Sequence, residues 1–264
     1  MVRSVGWQAY KRVTRRPIVV SLPGGARLRC HPDSNSASNV IYFGALFDPV
    51  EMSFMLRYLR SGDGFIDGGA NIGVYSLLAA SIVGPDGHVV AFEPDPVARG
   101  RILENAALNG FESIIDASAV ALWDAEGIAA FRVGKDVSNR VELRAEDGGS
   151  EVPTGRLDDL LPARPWAYGK LDVEGAELHA LRGAERLLAA ADPPVWQIEV
   201  IDHLLERAGS SGAEVWTCLL DHGFEAVSWD AATGSLRTID DPRSVRRNAL
   251  VVAKNRRDEV DARL

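Results

Sequence analysis

Acidic, glycine and asparagine residues around position 70 have the types and spacing of a ligand-binding turn. The pattern is Asp67-x-Gly69-x-Asn71-x-Gly73, between a short apolar run and a segment with helical periodicity. Glycine at positions 69 and 73 lets the backbone approach a ligand and the helix closely. Backbone N–H groups at the start of such a helix face whatever lies above the strand. The Asp67 carboxylate would repel a diphosphate and attract an ammonium group, and the dinucleotide pattern G-x-G-x-x-G is missing.

A second carboxylate, Glu93, ends the apolar run at residues 88–93. At the end of a strand it could accept hydrogen bonds from both ribose hydroxyls of a nucleoside. S-adenosylmethionine is a nucleoside that carries an amine and no phosphates, so it fits both carboxylates. The alternative is a tight strand–helix turn that binds no ligand. The residues predicted to bind this cofactor are Asp67, Gly69, Asn71, Gly73 and Glu93.

A later segment has charged residues at alternate positions, Lys170, Asp172 and Glu174. Side chains at alternate positions of a strand share one face. Unpaired charges inside a parallel sheet would be destabilising by several kcal/mol, so we expect a compensating site at this strand end, where such sheets bind ligands. In the alternative, Lys170 begins the strand in water, while the two carboxylates cap the following helix.

Composition restricts the function classes. The chain has 264 residues, 46% of them hydrophobic, and a net charge of -8, which argues against general nucleic-acid binding. Cys30 and Cys218 share no metal-ligand spacing and are predicted to be free thiols in a reducing compartment. The sequence has no run of transmembrane length and no signal-peptide core, so we predict a cytoplasmic protein.

Residues 1–60 are predicted to cap the main domain, which we place at residues 61–264. The cap begins with a basic helix over residues 1–16, which could rest weakly on anionic lipid or simply pack on the domain. A hairpin around Pro23-Gly24-Gly25, a polar loop over residues 33–39 and an amphipathic helix over residues 42–60 follow.

From Gly64 onward, strands alternate with helices, which predicts an α/β fold with a parallel sheet and helices on both faces. The last two strands, at residues 224–229 and 248–253, are joined by residues 230–247, which contain no clear helix. That connection favours an antiparallel hairpin at one edge. Residues 136–153 are polar and are predicted to form a surface loop near the substrate.

Taken together, these segments resemble the FkbM family of methyltransferases. The resemblance runs in order from about residue 63 to residue 254, and Gly68 departs from it, since an apolar residue is more usual there. The segments that carry it are Phe65-Ile66-Asp67-Gly68-Gly69-Ala70-Asn71-Ile72-Gly73, Phe92-Glu93-Pro94, Leu157-Asp158-Asp159-Leu160, Lys170-Leu171-Asp172-Val173-Glu174-Gly175-Ala176-Glu177, Leu181-Arg182-Gly183-Ala184 and Ile198-Glu199-Val200. The first 60 residues match only loosely.

The resemblance implies a Rossmann-like class I methyltransferase with a seven-stranded, mostly parallel sheet and an antiparallel last hairpin. It also implies S-adenosylmethionine as methyl donor and a hydroxyl acceptor on a secondary metabolite, sugar or glycolipid, methylated by in-line displacement. The identity of the acceptor is not implied, because the first 60 residues match only loosely, and the sequence leaves the oligomeric state open.

An alcohol becomes a good nucleophile only as its proton leaves, so a base or a metal is expected. Asp172 is the first candidate base, with Glu174 beside it and His203 after the neighbouring strand. If Asp172 and Glu199 converge, they could instead hold Mg²⁺, which prefers carboxylate oxygens.

Two other functional classes remain open. One is a nicotinamide-dependent oxidoreductase on a related sheet, which the missing G-x-G-x-x-G disfavours. The other is a non-catalytic, cofactor-binding partner protein. Binding of S-adenosylmethionine in place of NAD would exclude the first, and methyl transfer would exclude the second.

Overall fold

The computed structural model describes residues 2–44, 46–132, 140–142, 150–245 and 247–264. The strands are β1 Ile18–Ser21, β2 Arg27–Cys30, β3 Gly64–Gly68, β4 His88–Phe92, β5 Ile115–Ser118, β6 Ala121–Leu122, β7 Gly127–Arg132, β8 Arg140–Glu142, β9 Ser150–Gly155, β10 Tyr168–Leu171, β11 Val195–Val200, β12 Phe224–Asp230, β13 Ser235–Thr238 and β14 Arg247–Ala253. The helices are α1 Val2–Val13, α2 Asn35–Phe43, α3 Pro49–Tyr58, α4 Val74–Val83, α5 Pro96–Asn109, α6 Leu157–Leu160, α7 Glu177–Arg182, α8 Glu185–Leu188, α9 Asp202–Leu205, α10 Gly212–Asp221 and α11 Arg257–Arg263.

The central sheet has the strand order β13-β12-β14-β11-β10-β3-β4-β5. Strands β3, β4, β5, β10 and β11 pair in parallel, whereas β14 is antiparallel to both β11 and β12. The predicted α/β class, with a mostly parallel Rossmann-like sheet and an antiparallel pair of last strands, is confirmed. The predicted count of seven strands is one too low, because residues 230–247 contain β13, which forms a hairpin with β12.

Two apolar layers cover the two faces of this sheet. One layer joins Phe65 and Val89 of the sheet to Met52 and Phe54 of α3. Eight of the ten residues of α4 are buried, because this helix is enclosed by the sheet and by the N-terminal elements. The N-terminal elements therefore share a core with the sheet, and the domain boundary at residue 60 stays a prediction.

The N-terminal region contains one more helix than predicted. Residues 33–39 were expected to form a polar loop, but α2 begins at residue 35. Its first turn is capped by Ser34, whose hydroxyl accepts a hydrogen bond from the N–H of Ala37 at 3.0 Å. Polar residues that suggested a loop are here the start signal of a helix.

The single amphipathic helix predicted over residues 42–60 is also wrong. Helix α2 ends at Gly44, which has a φ of +88°, and α3 begins at Pro49. Glycine at a helix end and proline in a first turn are the usual stop and start residues. The hairpin of β1 and β2 around residues 23–25 and the basic helix α1 are as predicted.

A second sheet, of order β6-β9-β7-β8, follows β5, the third strand of the central sheet along the chain. The surface loop predicted over residues 136–153 is therefore wrong where β8 and β9 lie, and its other residues, 136–139 and 143–149, lie outside the described residues. Phe131, Val152 and Ala121 pack together in this sheet, so the inner face of β7 is apolar. The alternating apolar positions of β9 were too few to be recognised.

Cys30 and Cys218 are free thiols, as predicted. None of the described helices combines the length and the apolarity needed to cross a bilayer.

Candidate functional site

A cleft of about 430 Å³ opens where β3, β4, β10 and β11 end. Six of the nine residues predicted to bind the cofactor, a metal or a proton line it, namely Gly69, Asn71, Glu93, Asp172, Glu174 and Glu199. Three others, Asp67, Gly73 and His203, are not among the lining residues. The carboxyl ends of neighbouring parallel strands meet at one edge of a sheet, which is why residues so far apart in the chain converge here.

The turn after β3 can hold only glycine at position 69. Gly69 has a φ of +73°, and a Cβ there would lie 1.8 Å from the carbonyl oxygen of Asp172. The N–H groups of Gly69 and Ala70 donate to the carbonyl of Phe92 at 3.0 and 3.1 Å. The turn is thus fixed to the ends of both β4 and β10, and its backbone forms the floor of the cleft.

Glu93 is held at the end of β4 by backbone donors. Its Oε2 accepts from the N–H of Asn71 at 2.8 Å, and its Oε1 accepts from the N–H of Asp95 at 2.9 Å. Burial raises the pKa of Glu93 to about 7, while these two hydrogen bonds act in the opposite direction. Each carboxylate oxygen has a second lone pair, so Glu93 can still accept hydrogen bonds from a ligand.

Asp67 lies under the turn and not at the mouth of the cleft. It is 1% exposed, and its Oδ2 accepts from the hydroxyl of Ser76 at 2.6 Å. Burial raises its pKa, which the nearby Lys170 ammonium partly opposes. Gly73 caps the start of α4 with a φ of +83° and faces Ile102. A Cβ at Gly73 would lie 3.2 Å from a carbon atom of the Ile102 side chain, which is a tight contact.

The strand β10 brings a partly buried ion pair to the cleft. Lys170 is 4% exposed, and its Nζ donates to Oδ2 of Asp172 at 3.0 Å. Burial alone would lower the pKa of the Lys170 ammonium, but the carboxylates of Asp172 and Asp67 outweigh it and raise the pKa. The alternative in which Lys170 begins the strand in water is therefore wrong, and Asp172 has a fixed cationic partner.

Glu177 is a site residue that sequence reasoning missed. It is 1% exposed, and its Oε1 accepts from the N–H groups of Val173 and Gly175 at 2.9 and 3.2 Å. Burial is the main cause that raises its pKa to about 8. These bonds shape the turn that carries Asp172 and Glu174. The signal in the sequence was an acidic residue just after a glycine turn, at the start of a helix.

Asp172 and Glu199 lie side by side at the ends of two paired strands. Leu171 is in register with Ile198, so the next residue of each strand lies at the same level. Glu199 is 9% exposed, and burial, followed by the negative charge of Asp172, raises its pKa to about 9. Within the described residues, no three His, Cys, Asp or Glu side chains form a metal-binding group, and Mg²⁺ at these two carboxylates stays a prediction.

His203 does not reach the cleft. It lies in α9, which begins at Asp202 directly after β11, and its side chain is exposed. The turn of this short helix directs it to solvent, although it follows the strand end in sequence.

Three non-glycine residues with left-handed backbone line the cleft: Asn71 at φ +52°, Glu174 at +56° and Arg247 at +93°. The described part of the chain contains one other such residue, Arg15. Nε of Arg247 lies 4.0 Å from Oε1 of Glu199. Strained backbone of this kind persists where the surrounding structure enforces it, and it is concentrated at ligand sites.

Hydrogen-bonded side chains link the cleft to the N-terminal region. The hydroxyl of Tyr75 donates to Oδ2 of Asp48 at 3.1 Å and accepts from Nε2 of Gln197 at 3.0 Å. The amide oxygen of Gln197 accepts in turn from the hydroxyl of Tyr168 at 3.1 Å. These hydrogen bonds join residues of α4, β10 and β11 to the residue before α3, so no sequence pattern could have revealed them.

Comparison with known proteins agrees with this geometry. A family model described as "Methyltransferase FkbM domain" matches residues 67–226. A curated relative, "31-O-demethyl-FK506 methyltransferase FkbM" of Streptomyces tacrolimicus, is 31% identical over 205 residues, which are 64% of this chain and 75% of the relative.

Solved structures are more distant. The methyltransferase FkbM from Methylobacillus flagellatus is 18% identical, with a TM-score of 0.49 over 82% of this chain and 54% of that chain. The SAM-dependent O-methyltransferase from Thermotoga maritima is 12% identical, with a TM-score of 0.43 over 94% and 96% of the two chains. This chain thus spans about half the length of the first structure. Because the family model covers residues 67–226, more than half of the chain, the chain belongs to the FkbM family of methyltransferases.

Proposed function

We propose that this protein transfers a methyl group from S-adenosylmethionine to a hydroxyl oxygen of a small molecule, sugar or glycolipid. The observation that carries the proposal is the pairing, in one cleft, of Glu93 at one strand end with Asp172 at another. Glu93 could accept hydrogen bonds from a nucleoside, and Asp172 could take the proton of a hydroxyl acceptor. The name of the relative from Streptomyces tacrolimicus, which methylates an oxygen, supports the choice of acceptor atom.

The residues of the cleft fit the donor. Glu93 would accept the ribose hydroxyls, and the backbone at Gly69 and Asn71 would contact the amino-acid part. Five acidic side chains lie at or beneath the cleft, and those that are ionised attract a cation: Asp67, Glu93, Asp172, Glu174 and Glu199. When bound, S-adenosylmethionine supplies an electrophilic methyl group whose leaving group is already cationic.

The chain's own contribution is alignment and proton removal. Holding an acceptor oxygen in line with the methyl carbon is worth about 7–11 kcal/mol when the geometry is good. Asp172 would accept the hydroxyl proton, with Lys170 holding its carboxylate in place at 3.0 Å. Glu174 is the second candidate base. If Mg²⁺ binds instead, Asp172 and Glu199 would hold it and the ion would polarise the hydroxyl.

Calorimetric titration tests the donor site. The wild-type chain is expected to bind S-adenosylhomocysteine and to give no heat with NAD, which separates a methyltransferase from an oxidoreductase. Glu93→Gln should weaken binding at least about tenfold, since hydrogen bonds to a charged acceptor contribute about 1.5–3 kcal/mol. Glu112→Gln, an exposed carboxylate after α5, is the matched control and should bind normally.

Transfer of a labelled methyl group to panels of hydroxyl-bearing metabolites, sugars and glycolipids tests the reaction itself, with and without Mg²⁺. Binding of S-adenosylhomocysteine without transfer to any oxygen acceptor would favour the non-catalytic partner. Tighter binding of NAD than of S-adenosylhomocysteine would overturn the proposal.

A further inference from the structure

The charge of the chain is divided unevenly along its length. Residues 1–60 contain nine Lys and Arg against three Asp and Glu, which gives +6, whereas the whole chain has a net charge of -8. The rest of the chain therefore has a net charge of -14. An anionic surface attracts the first part and repels the second, so it would orient the molecule with residues 1–60 toward it.

Basic side chains near the end of α1 are available to such a surface. Arg12, Arg15 and Arg16 are exposed, and Lys11 is half-buried. Basic residues in the last turn of a helix also stabilise its dipole, but that effect fades within the turn. Arg15 and Arg16 lie beyond the end of α1, so the dipole does not account for them.

Exposed apolar side chains are concentrated in the same region. In the described part of the chain, eight large apolar side chains are exposed, and half of them belong to residues 1–60 although these form less than a quarter of the sequence. The four are Val13, Val19, Phe43 and Val50. Val13, 83% exposed, stands between basic residues. Basic and apolar side chains together are the composition of a surface that lies on an anionic bilayer.

This region also forms one wall of the cleft. Nε1 of Trp7 in α1 donates to the hydroxyl of Ser38 in α2 at 3.0 Å. On α2, Ser36 and Asn39 line the cleft. Phe43, 73% exposed, follows them at the i+7 and i+4 positions and so lies on the same side of the helix. An apolar side chain therefore stands exposed on the side of α2 that faces the cleft.

We propose that residues 1–60 are a docking surface for anionic lipid bilayers, which brings the cleft to the lipid–water boundary. The docking goes beyond the proposed function. Its consequence, that the methyl acceptor is an amphiphile presented at a membrane, rests on that function. A nucleic acid is the less favoured partner, because the exposed apolar side chains of Val13 and Phe43 contribute nothing to binding phosphates.

Vesicle co-sedimentation of the full chain tests the docking. The probes are phosphatidylcholine vesicles with and without phosphatidylglycerol, at about two to one. The wild-type chain should sediment with the anionic vesicles only, and less at high salt. The double variant R12E/R15E should lower the partition coefficient at least about tenfold. The control R207E/K254E reverses two exposed charges outside residues 1–60 and should bind as the wild type does.

A second variant probes the apolar part. Val13→Ser leaves the charge unchanged and should lower the partition coefficient at least about threefold. The proposal is overturned if the wild-type chain ignores anionic vesicles, if the control loses as much binding as R12E/R15E, or if duplex DNA binds more tightly than the vesicles. Calorimetry with S-adenosylhomocysteine in the absence of lipid keeps the two proposals apart, since normal donor binding without docking leaves the proposed function intact.

Discussion

Glu93 and Glu199 are buried carboxylates at two strand ends of one cleft, in opposite surroundings. Both oxygens of Glu93 accept from backbone N–H groups, at 2.8 and 2.9 Å. Glu199 instead faces the acidic side chains of Asp172, Glu177 and Glu174, with the Lys170 ammonium acting in the opposite direction. Burial is the largest cause that raises both pKa values, to about 7 for Glu93 and about 9 for Glu199.

The difference shows how a fold sets the charge of a buried acid. Backbone donors stabilise the ionised form, so Glu93 loses its proton near neutral pH and can serve as a hydrogen-bond acceptor. Neighbouring carboxylates stabilise the neutral form, so Glu199 keeps its proton unless a cation arrives. One side of the cleft is thus built as an acceptor, and the other is poised to bind a proton or a cation.

The largest effect is expected where the two sides meet, at Gly69. Gly69→Ala places a Cβ 1.8 Å from the carbonyl oxygen of Asp172, at a φ of +73°. We expect the free energy of unfolding to fall by at least about 3 kcal/mol, from strain and overpacking together. Urea denaturation measures it. Gly110→Ala is the control, since Gly110 has a φ of +71° and no atom within 4 Å, and it should lose only about 1 kcal/mol.

The second effect separates the base from the donor site. Asp172→Asn should lower kcat for methyl transfer at least about 100-fold, the usual contribution of a general base. Affinity for S-adenosylhomocysteine should change less than about threefold, since Glu93 is untouched. Glu174→Gln, in the same turn, is the comparison. A larger loss of kcat in Glu174→Gln would move the role of base to Glu174.

The third effect has the opposite sign, because it removes an acid that the folded chain must keep protonated above its ordinary pKa. The folded-state pKa of Glu199, about 9, lies above its ordinary value of 4.5. Between these values the unfolded chain loses the proton and the folded chain keeps it, so the wild type loses stability as pH rises. Glu199→Gln should therefore be more stable at pH 8, on the order of 2 kcal/mol, and equal near pH 4.5. Denaturation at both pH values measures this, and a less stable variant at pH 8 would contradict it.

The smallest effect is expected at Glu177. Its pKa of about 8 keeps the carboxyl protonated at pH 7, where glutamine is a close mimic. Glu177→Gln should thus keep both hydrogen bonds, with a free energy of unfolding within about 1 kcal/mol of the wild type near pH 4.5 and, as for Glu199→Gln, no lower than the wild type at pH 7. Glu177→Ala leaves the N–H groups of Val173 and Gly175 without an acceptor and should lose about 2–4 kcal/mol. Equal losses in the two variants would contradict the assignment.

Local pattern was sufficient for most of the central sheet. Apolar runs that end in a glycine turn or a carboxylate located β3, β4, β10 and β11, and their parallel order followed from the alternation with helices. Strand β13 was missed because it has four residues, of which only Leu236 is buried. Helix α2 was missed because Ser34 and the asparagines that open it are equally common in loops.

The sequence predicted those site residues whose position depends only on where a parallel strand ends. Gly69, Glu93 and Asp172 line the cleft because strand ends converge. Asp67 and His203 do not line it. The hydroxyl of Ser76 holds the Asp67 side chain beneath the turn, and α9 directs the His203 side chain to solvent.

The left-handed residues Asn71, Glu174 and Arg247 hold the backbone around the cleft in a strained conformation. Each such residue stores about 1–3 kcal/mol of strain, so a glycine there should make the empty protein more robust to heat. The same replacement would let the rim relax, and each binding event would then have to restore order. The cleft is therefore ordered for binding at the cost of thermal stability. Engineering for thermostability should leave these three positions unchanged.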